Sequence, residues 1–587
     1  MELQRPALSP TAERSLHALA LPNWLRPAPT TVAAVGVLAA VFLLINHAPL
    51  WHTDVWGHLK FGQWFREQGR LPETEPFLFA AAGPRQPNHP NAWLSQSLLY
   101  EVYRLGERGD SPNDLEPASA GGVEALRALH AVAVVLRCLL IFLALRLVSG
   151  SGLVAVVGLV VMLGLSYANI AVLRPQVFGE VCCAAMLWLL SLPRLSWRMQ
   201  VLGVALFVLW GNLHGSYLVG LLLWLGYLGG QMLLIFRQAG FHWRAYYEHP
   251  RFRELFRVFW VTCLVLSFAS PCGYRITAYV LEVSNHPNIR DMDEWKHLEW
   301  ASPWGVAFFA SLLVILATLL LGFVLPPQPP PADPTRLQPK GVIPLGQLIM
   351  LALVGAQTYL HQRMMPWWVM LVPWICAPAW GRFMRMVAPA AGTIIPAPER
   401  LAVALRPILI TGVLVWIAVA WSGLGQWLLH GTPRPLEQAL HPGTPLALAR
   451  QLLQPVSANS VPALKAWLAQ QRLTPADLGP IFASETQGEF LLWSLPEACR
   501  PVVYTHVHLF TPEHWQAVMR VKNGRPGWEA ILSRWGCRLL VVEADLHADL
   551  CRQLRAGQGG WRVLVDDAAS GSRGQGDPKA RLLIAVH

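Results

Sequence analysis

Long apolar runs follow one another between Val32 and Leu429, and they constrain the fold more than any other feature of the sequence. With 54% hydrophobic and only 14% charged residues, the chain has more apolar surface than one globular core can bury. A helix that crosses a bilayer needs about 20 mainly apolar residues. We therefore predict a polytopic α-helical membrane protein with about eleven transmembrane helices, at 32–49, 124–147, 152–172, 177–193, 200–211, 216–236, 256–271, 304–325, 342–360, 366–381 and 405–429.

The charges between these segments predict their orientation, because cytoplasmic loops are enriched in Arg and Lys. Alternate loops are strongly basic, and the opposite ones, above all 51–122 and 272–303, are balanced or acidic. We expect a cytoplasmic segment at 1–31, a membrane domain at 32–429 with a large outer loop at 51–122, and an extracytoplasmic domain at 430–587. The net charge of +11 then faces anionic lipid headgroups, so membrane lipid is a partner and nucleic acid is not.

After Leu429 the apolar runs shorten to the length of strands and alternate with amphipathic patterns, which is typical of a small soluble α/β domain. The helical patterns lie at 513–520, 527–535 and 546–557. Predicted strands lie at 481–483, 502–504, 539–543, 561–565 and 581–586.

The nine cysteines do not form a disulfide framework, because most of them lie in apolar segments. Cys499, Cys537 and Cys551 lie in the C-terminal domain, where one disulfide is compatible with the sequence, but no pair can be chosen. No spacing typical of metal ligands occurs.

Polar and ionisable residues gather at the turns that the orientation places outside. Such groups are costly at the membrane unless they pair or line a hydrated cavity, so their shared side predicts one site at the membrane surface. Short turns also collect polar residues for purely local reasons, and that alternative stays open. The residues concerned are His52, Asp54, His58, Arg174, Gln176, Asn212, His214, Asp291, Asp293, Glu294, His361 and Arg363.

This mixture suits chemistry on a phosphorylated lipid. A carboxylate can take the proton of an acceptor hydroxyl, and we predict Asp54 as this general base. Guanidinium and imidazole groups can bind a leaving phosphate, so we assign the lipid phosphate to Arg174, His361 and Arg363. Substrate or phosphate contacts are also predicted for His52, His58, Gln176, Asn212 and His214, although each of these has a purely structural alternative.

The first outer loop resembles that of bacterial membrane proteins in the GT-C glycosyltransferase superfamily. The similarity rests on His52-Thr53-Asp54-Val55-Trp56-Gly57-His58-Leu59, Gly62-Gln63-Trp64-Phe65, Gly69-Arg70-Leu71-Pro72, Glu75-Pro76-Phe77 and Ala92-Trp93-Leu94-Ser95-Gln96. It continues at Arg174-Pro175-Gln176, Asn212-Leu213-His214-Gly215, Ser270-Pro271-Cys272-Gly273, Glu294-Trp295 and Gly527-Trp528. The resemblance implies a many-helix membrane unit, a polyprenyl-phosphate sugar donor and an acidic general base in the first outer loop, which is Asp54.

Many members of the superfamily carry two neighbouring acids in this loop, whereas here His52 and Thr53 precede a single carboxylate. A second acid would have to come from Asp291, Asp293 or Glu294, a cluster that is also compatible with a solvated acidic loop. No cofactor is certain, and a divalent metal stays possible.

The sequence therefore predicts an inverting glycosyltransferase in a bacterial inner membrane. It would move a sugar from a polyprenyl phosphate to a glycan, lipid or protein acceptor outside the cytoplasm. One alternative is a transporter or flippase, for which Arg137 and Arg146 in the second segment are the best ion-pathway candidates. Another is a degenerate GT-C protein that acts as a scaffold in envelope assembly.

Overall fold

The computed structural model describes residues 28–51, 54–79, 83–88, 92–108, 116–167, 170–240, 242–326, 341–388, 401–453, 461–544, 546–567 and 582–587. Up to residue 430 the regular elements of the described chain are helices. Its helices are α1 (Pro29–His47), α2 (Val55–Gln68), α3 (Trp93–Glu107), α4 (Ala120–Ser149), α5 (Gly152–Leu165), α6 (Gln176–Ser191), α7 (Trp197–Leu213), α8 (Tyr217–Ala239), α9 (Trp243–Glu248), α10 (Pro250–Ala269), α11 (Ile276–Ser284), α12 (Pro303–Leu320), α13 (Leu345–Leu360), α14 (Met365–Val387), α15 (Leu401–Ala420) and α16 (Gly423–His430).

Within the described ranges, four helical stretches are long and apolar enough to cross a membrane: α1, α4, Tyr217–Arg237 and Pro303–Phe323. A fifth qualifies if α15 and α16, which meet at an angle of 76°, form one broken span, and α5, α6 and α13 are shorter apolar helices. The chain is therefore a multi-pass membrane protein. Each predicted segment overlaps a described helix, but the count of eleven crossings stays a prediction.

Helix α4 lies at the centre of the bundle, where it packs against α1, α3, α5, α6 and α14. Inside this packing Arg137 of α4 pairs with Glu180 of α6, and both side chains are more than nine-tenths buried. A buried charge without a partner is strongly destabilising, so this pair fixes α4 against α6. Arg137, an ion-pathway candidate in the transporter alternative, is thus engaged in a structural ion pair.

The first outer loop forms two helices, α2 and α3, which pack closely together. Gly62 makes this approach possible, because a Cβ atom there would lie 2.3 Å from the Gln96 carbonyl oxygen of α3. The close contact fixes the direction of α2, and therefore the position of Asp54 immediately before its first turn.

The remaining helices are α17 (Leu436–Ala439), α18 (Leu446–Leu453), α19 (Pro462–Gln471), α20 (Glu485–Ser494), α21 (Pro512–Lys522), α22 (Trp528–Trp535) and α23 (Ala548–Arg555). They accompany a four-stranded sheet in the order β1-β2-β4-β3, formed by β1 (Ile481–Ala483), β2 (Leu539–Glu543), β3 (Arg562–Asp566) and β4 (Leu582–Val586). Strand β1 is parallel to β2, whereas β4 is antiparallel to both β2 and β3. The sequence therefore predicted the α/β character correctly, and the boundary at residue 430 stays a prediction.

The strand predicted at 502–504 is wrong. This segment is buried, but beside β1 it makes only an isolated bridge between Ile481 and Pro501. Pro501 has no N–H to donate to a ladder, and the chain turns away at Thr505, whose N–H and hydroxyl bind Glu489 instead. The disulfide left open by the sequence is not formed either, since none of the nine cysteines is joined to another by a disulfide bond.

The C-terminal region packs directly onto the first outer loop. Trp56 of α2 is fully buried, with its ring 5.0 Å from that of Phe490 of α20 and 6.4 Å from that of Tyr103 of α3. Arg434, at the start of the region, binds both carboxylate oxygens of Glu124 near the beginning of α4, at 2.6 and 2.9 Å. Helix α2 is thus held between α3 and α20, which fixes the residues at its beginning.

Candidate functional site

Asp54 lies beside an arginine from a distant turn. Its Oδ1 is 3.3 Å from Nε of Arg174, which stands between α5 and α6. Nη1 of the same guanidinium is 2.5 Å from Oε2 of Glu294. Arg174 therefore bridges two carboxylates that are 240 residues apart in the sequence. In space they are separated by roughly the width of one guanidinium group.

Glu294 is held from its other side by Arg363, which follows α13, through its second oxygen. The Arg363 guanidinium also lies over the ring of Trp295, 5.4 Å from the centroid. We call Asp54, Arg174, Glu294 and Arg363 the charged cluster. Each of its side chains keeps between 20% and 29% of its surface exposed, so the cluster is accessible.

The alternation of charge controls protonation in the cluster. Burial raises the pKa of Asp54, but Arg174 and the imidazoles nearby outweigh it and hold this pKa at about 2. Burial likewise raises the pKa of Glu294, yet Arg363 and Arg174 bring it below its usual value. Burial lowers the pKa of Arg174, but Asp54 and Glu294 raise it overall. At neutral pH the cluster therefore holds two carboxylates and two guanidiniums.

A second set of contacts runs from Asp54 into the C-terminal region. His58, one turn along α2, places Nε2 3.9 Å from Asp54 Oδ2. Its Nδ1 is 3.0 Å from Nε2 of Gln96 and 3.3 Å from Nε2 of His506. The Nδ1 atom of His506 lies 3.2 Å from Oε1 of Glu489, a fully buried residue of α20. We call His58, His506 and Glu489 the imidazole chain.

Glu489 also fixes the beginning of α2, because its carboxylate accepts the backbone N–H of Gly57. Only glycine fits there, since a Cβ atom on residue 57 would lie 2.1 Å from Glu489 Oε2. The Glu489 carboxylate also accepts hydrogen bonds from the N–H of Thr505, at 2.9 Å, and from its hydroxyl. Asp54 is therefore positioned from the C-terminal region as well as from the membrane bundle.

Two further predicted residues lie next to the charged cluster. The pKa of His214 is lowered to about 3 by burial and then by Arg363, with Asp54, Glu294 and Arg174 also close enough to act on it. His361 places Nδ1 3.1 Å from the carbonyl oxygen of Trp295, to which it donates. Both histidines thus border the cluster, and His361 shapes the loop that carries Glu294.

Several predicted residues point elsewhere. Gln176 faces Glu180 inside the bundle, and Asn212 binds Trp93 and two backbone carbonyls. Asp291 accepts the indole N–H of Trp515 and so joins the outer loop to the C-terminal region. Asp293 is exposed and pairs with Lys296. His52 lies outside the described residues.

Of the three candidates for a second acid, the structure thus brings Glu294 to Asp54. Among the described residues no group of three or more His, Cys, Asp or Glu side chains is arranged to hold a metal ion. The two carboxylates that do meet share the Arg174 guanidinium, which occupies the space between them. This arrangement does not fit a divalent cation bound between Asp54 and Glu294.

An apolar groove of about 690 Å³ lies in the membrane bundle. It lies between α7 and α10, from Trp197 and Arg257 at one end to Trp93 and Asn212 at the other. Along α7 this distance is roughly 22 Å at 1.5 Å per residue, which is most of the thickness of a bilayer core. Asn212 precedes His214 by two residues in the sequence, and none of the four residues of the charged cluster lines the groove.

Reasoning from the sequence missed Glu489 and Gln96 and gave His506 little weight. The sequence offers one weak signal, the run Tyr504-Thr505-His506-Val507-His508 after an apolar stretch. Nothing local marks Glu489, which is a single acid in an ordinary helical pattern. Trp56, in an aromatic loop typical of interfacial anchors, is a core residue in the structure.

No protein-family model and no curated protein matches this sequence. Solved structures do match. One is the archaeal oligosaccharyltransferase AglB from Archaeoglobus fulgidus, in complex with an inhibitory peptide and a dolichol-phosphate. The TM-score is 0.50 at 10% sequence identity, over 92% of this chain and 70% of that one.

A second match is an Archaeoglobus fulgidus oligosaccharyltransferase in complex with Zn and sulfate, with a TM-score of 0.50 and 10% identity over 88% of this chain and 68% of that one. At this identity the likeness shows the fold. The chain therefore has a GT-C fold, as its first outer loop implied.

Proposed function

We propose that this GT-C-fold chain is an inverting glycosyltransferase, which moves a sugar from a polyprenyl-phosphate donor to an acceptor outside the cytoplasm. The observation that carries the proposal is the meeting of Asp54, Arg174, Glu294 and Arg363 in one accessible cluster. An apolar groove of the membrane bundle, which ends at Asn212, supports it. A carboxylate, two guanidiniums and a path for a lipid tail are what such a transfer requires. The dolichol-phosphate named in the AglB complex is a lipid of the same chemical class.

In this proposal the isoprenoid tail lies in the groove between α7 and α10, and its phosphate rests against Arg174 and Arg363. The two guanidiniums offset the charge that grows on the phosphate as the bond to the sugar breaks. Glu294 holds both of them in place, since its two oxygens bind one each. Glu294 is thus an orienting group for the phosphate site.

Asp54 accepts the hydrogen bond of the acceptor hydroxyl and directs its oxygen to the anomeric carbon. With a pKa of about 2 the carboxylate stays ionised, and it takes the proton late, when the attacking oxygen has bonded to carbon and become strongly acidic. Attack opposite the departing phosphate inverts the anomeric configuration. The acceptor is a glycan, lipid or protein.

The contacts support Arg174 rather than a bound divalent metal as the positive charge beside Asp54, since its guanidinium fills the space between the two carboxylates. We further propose that the chain resides in a bacterial inner membrane, with residues 430–587 on the periplasmic side. The basic loops of the opposite side support this orientation.

The test uses purified full-length protein in proteoliposomes that contain polyprenyl-phosphate sugars labelled in the sugar, with envelope glycans, lipids and proteins added as acceptors. We expect label to leave the lipid fraction with wild-type protein, and Asp54→Asn to slow this loss by roughly 10²- to 10⁴-fold. The matched control is Asp293→Asn, because Asp293 is an exposed acid of the same outer region and pairs with Lys296.

Equal rates for Asp54→Asn and wild type would overturn the assignment of Asp54. Movement of labelled lipid between leaflets without loss of its sugar would instead establish the flippase alternative. Binding of the labelled lipid without either event would establish the scaffold.

A further inference from the structure

The imidazole chain joins the candidate base to a carboxylate of the C-terminal region. From Asp54 the order is His58, His506 and Glu489, with separations of 3.9, 3.3 and 3.2 Å between facing atoms. His506 is 9% exposed and Glu489 is fully buried, so the far end of the chain is shielded from water. The proposed function gives no task to these two residues.

The geometry limits which nitrogen atoms of the chain carry a proton. His506 Nδ1 faces a carboxylate oxygen, so this nitrogen carries a proton and donates it. Two imidazole nitrogens 3.3 Å apart then need one proton between them, because two lone pairs or two N–H groups would repel. That proton resides on His58 while His58 Nε2 is free, and it can move to His506 once His58 Nε2 has gained a proton; the second state places an imidazolium beside Glu489.

Gln96 is suited to both states. Its amide Nε2 lies 3.0 Å from His58 Nδ1, and its buried Oε1 has no hydrogen-bond partner among the described residues. Rotation of the amide by half a turn presents either a donor or an acceptor to the imidazole. The side chain therefore follows the shared proton at little cost.

The near end of the chain has room for a transfer. A separation of 3.9 Å between His58 Nε2 and Asp54 Oδ2 is too long for a hydrogen bond. It is the separation at which one hydroxyl or water oxygen lies within hydrogen-bond distance of both atoms. An acceptor hydroxyl on Asp54 would thus also lie next to His58.

We propose that His506, held by Glu489, is a positioning residue for the transfer: it acts through His58 to draw the acceptor proton away from Asp54 into the C-terminal region. This inference rests on the proposed function. The acceptor O–H bond breaks as its oxygen bonds to the anomeric carbon, and the sugar–phosphate bond breaks with its electron pair going to the phosphate. The proton reaches Asp54 and then His58 Nε2, while the Nδ1 proton of His58 moves to His506 Nε2.

The products of this step are the glycosylated acceptor, the lipid phosphate anion and an imidazolium on His506 beside the Glu489 carboxylate. Return of the shared proton to His58 Nδ1, with loss of the His58 Nε2 proton to water after the product has left, restores the starting state. Asp54 is returned to its ionised form when His58 takes its proton.

The groups that face His58 decide its pH response. They are His506 from the C-terminal region, Asp54 before α2, His214 after α7 and Arg174 before α6. Burial and then His506 lower the pKa of His58 well below its usual value, so His58 is neutral near pH 7 and able to take a proton. Removal of His506 raises this pKa towards its ordinary value, because one of the lowering influences is lost.

The test compares His506→Gln with His508→Gln in the full-length protein. His508 is the matched control, a half-buried histidine two residues away whose ring is 6.1 Å from that of His506. We expect His506→Gln to lower kcat about 10- to 100-fold at pH 7.5 and to move the acidic limb of the pH profile upward. His508→Gln should change neither.

A second measurement is independent of transfer. The rate of hydrogen–deuterium exchange at histidine Cε1, followed by mass spectrometry of the peptide that contains His58, gives the pKa of this imidazole. We expect this pKa to rise in His506→Gln and in Glu489→Gln but not in His508→Gln.

An unchanged His58 pKa and an unchanged acidic limb in His506→Gln, with activity lost only in proportion to folded protein, would overturn the proposal. If wild-type protein transfers no sugar, the proposed function fails. The exchange measurement then still shows whether His58 and His506 share a proton, so the two failures are distinguishable.

Discussion

Two kinds of carboxylate meet around helix α2, and their partners differ. Asp54 and Glu294 face the accessible side and are bound by guanidinium groups. Glu75 and Glu489 are fully buried against the C-terminal region and accept hydrogen bonds mainly from neutral donors. For Glu75 these are Tyr504 Oη at 2.5 Å and the backbone N–H of Phe77 at 2.6 Å.

The partners give the two kinds opposite protonation behaviour. Arginine lowers the pKa of Asp54 to about 2, whereas burial, only partly offset by hydrogen bonds, raises the pKa of Glu75. A carboxylate that is ionised at all physiological pH values suits a group that must accept a proton during transfer. A buried carboxyl group that accepts hydrogen bonds from neutral donors suits the packing of two parts of the chain against each other. The comparison can be tested on each side.

The largest effect should come from Arg174, the arginine that binds both accessible carboxylates. In Arg174→Gln, Asp54 and Glu294 lose their shared cation, so we expect transfer to fall by roughly 10²- to 10³-fold. The pKa of Asp54 should rise because burial then acts with less opposition, and the acidic limb of the pH profile should move upward. Transfer assays between pH 4 and pH 8 measure both effects.

Arg290→Gln, at an exposed arginine of the same outer region, serves as its control. The wild-type rate should also stay within about twofold in EDTA, since the guanidinium fills the place between the carboxylates. Loss of activity in EDTA that a divalent cation restores would show that Arg174 moves aside for a metal.

A smaller effect is expected at the docking contact of Glu489. Gly57→Ala places a methyl group against the carboxylate, at 2.1 Å in the unrelaxed structure. We expect the free energy of unfolding to fall by about 1–3 kcal/mol, with earlier proteolysis of the C-terminal region. Gly164→Ala is the control, because a Cβ atom there meets no atom within 4 Å. Equal stability of the two variants would show that α20 does not hold the beginning of α2.

The smallest effect is expected at Glu75, in the way the stability of the protein changes with pH. The raised pKa of Glu75 means that its contribution to stability is complete below pH 4.5 and is lost as pH rises through its folded value. The lowered pKa of Asp54 has the opposite effect: its contribution to stability is complete above about pH 4 and is lost as pH falls towards 2. Glu75→Gln should therefore flatten the decline in stability above pH 4.5, by about 1 kcal/mol, without changing transfer.

Thermal unfolding measured from pH 5 to pH 8 follows this change. A steeper decline in Glu75→Gln than in wild type would contradict the assigned direction. A tenfold loss of transfer would place Glu75 in the chemistry instead of in docking.

The helices of the membrane bundle were predictable because apolar runs and turns are local features of the sequence. Each predicted segment has a helix, although α7 and α10 are too polar or too short to identify as spans on their own. The strand at 502–504 was mispredicted from its apolar pattern. Pro501 makes only an isolated bridge there, and the Thr505 N–H binds Glu489 instead of a neighbouring strand.

The convergence of Asp54, Arg174, Glu294 and Arg363 could be predicted in outline, since positive-inside loops place their turns on the same side. Which of the three acids at 291–294 reaches Asp54 could not, because that depends on the fold of one short loop. Glu489 was beyond prediction, as its role depends on a glycine far away in the sequence. Contacts of this kind leave no periodic signal.

The contact between Gly57 and Glu489 joins positions 432 residues apart. A ribosome has therefore released the first outer loop long before it makes the helix that completes it. Partly synthesised chains, which already contain Asp54 and later Arg174, lack Glu489 until helix α20 has been made and has packed on α2. A product that stops before α20 would occupy the membrane with its imidazole chain unfinished.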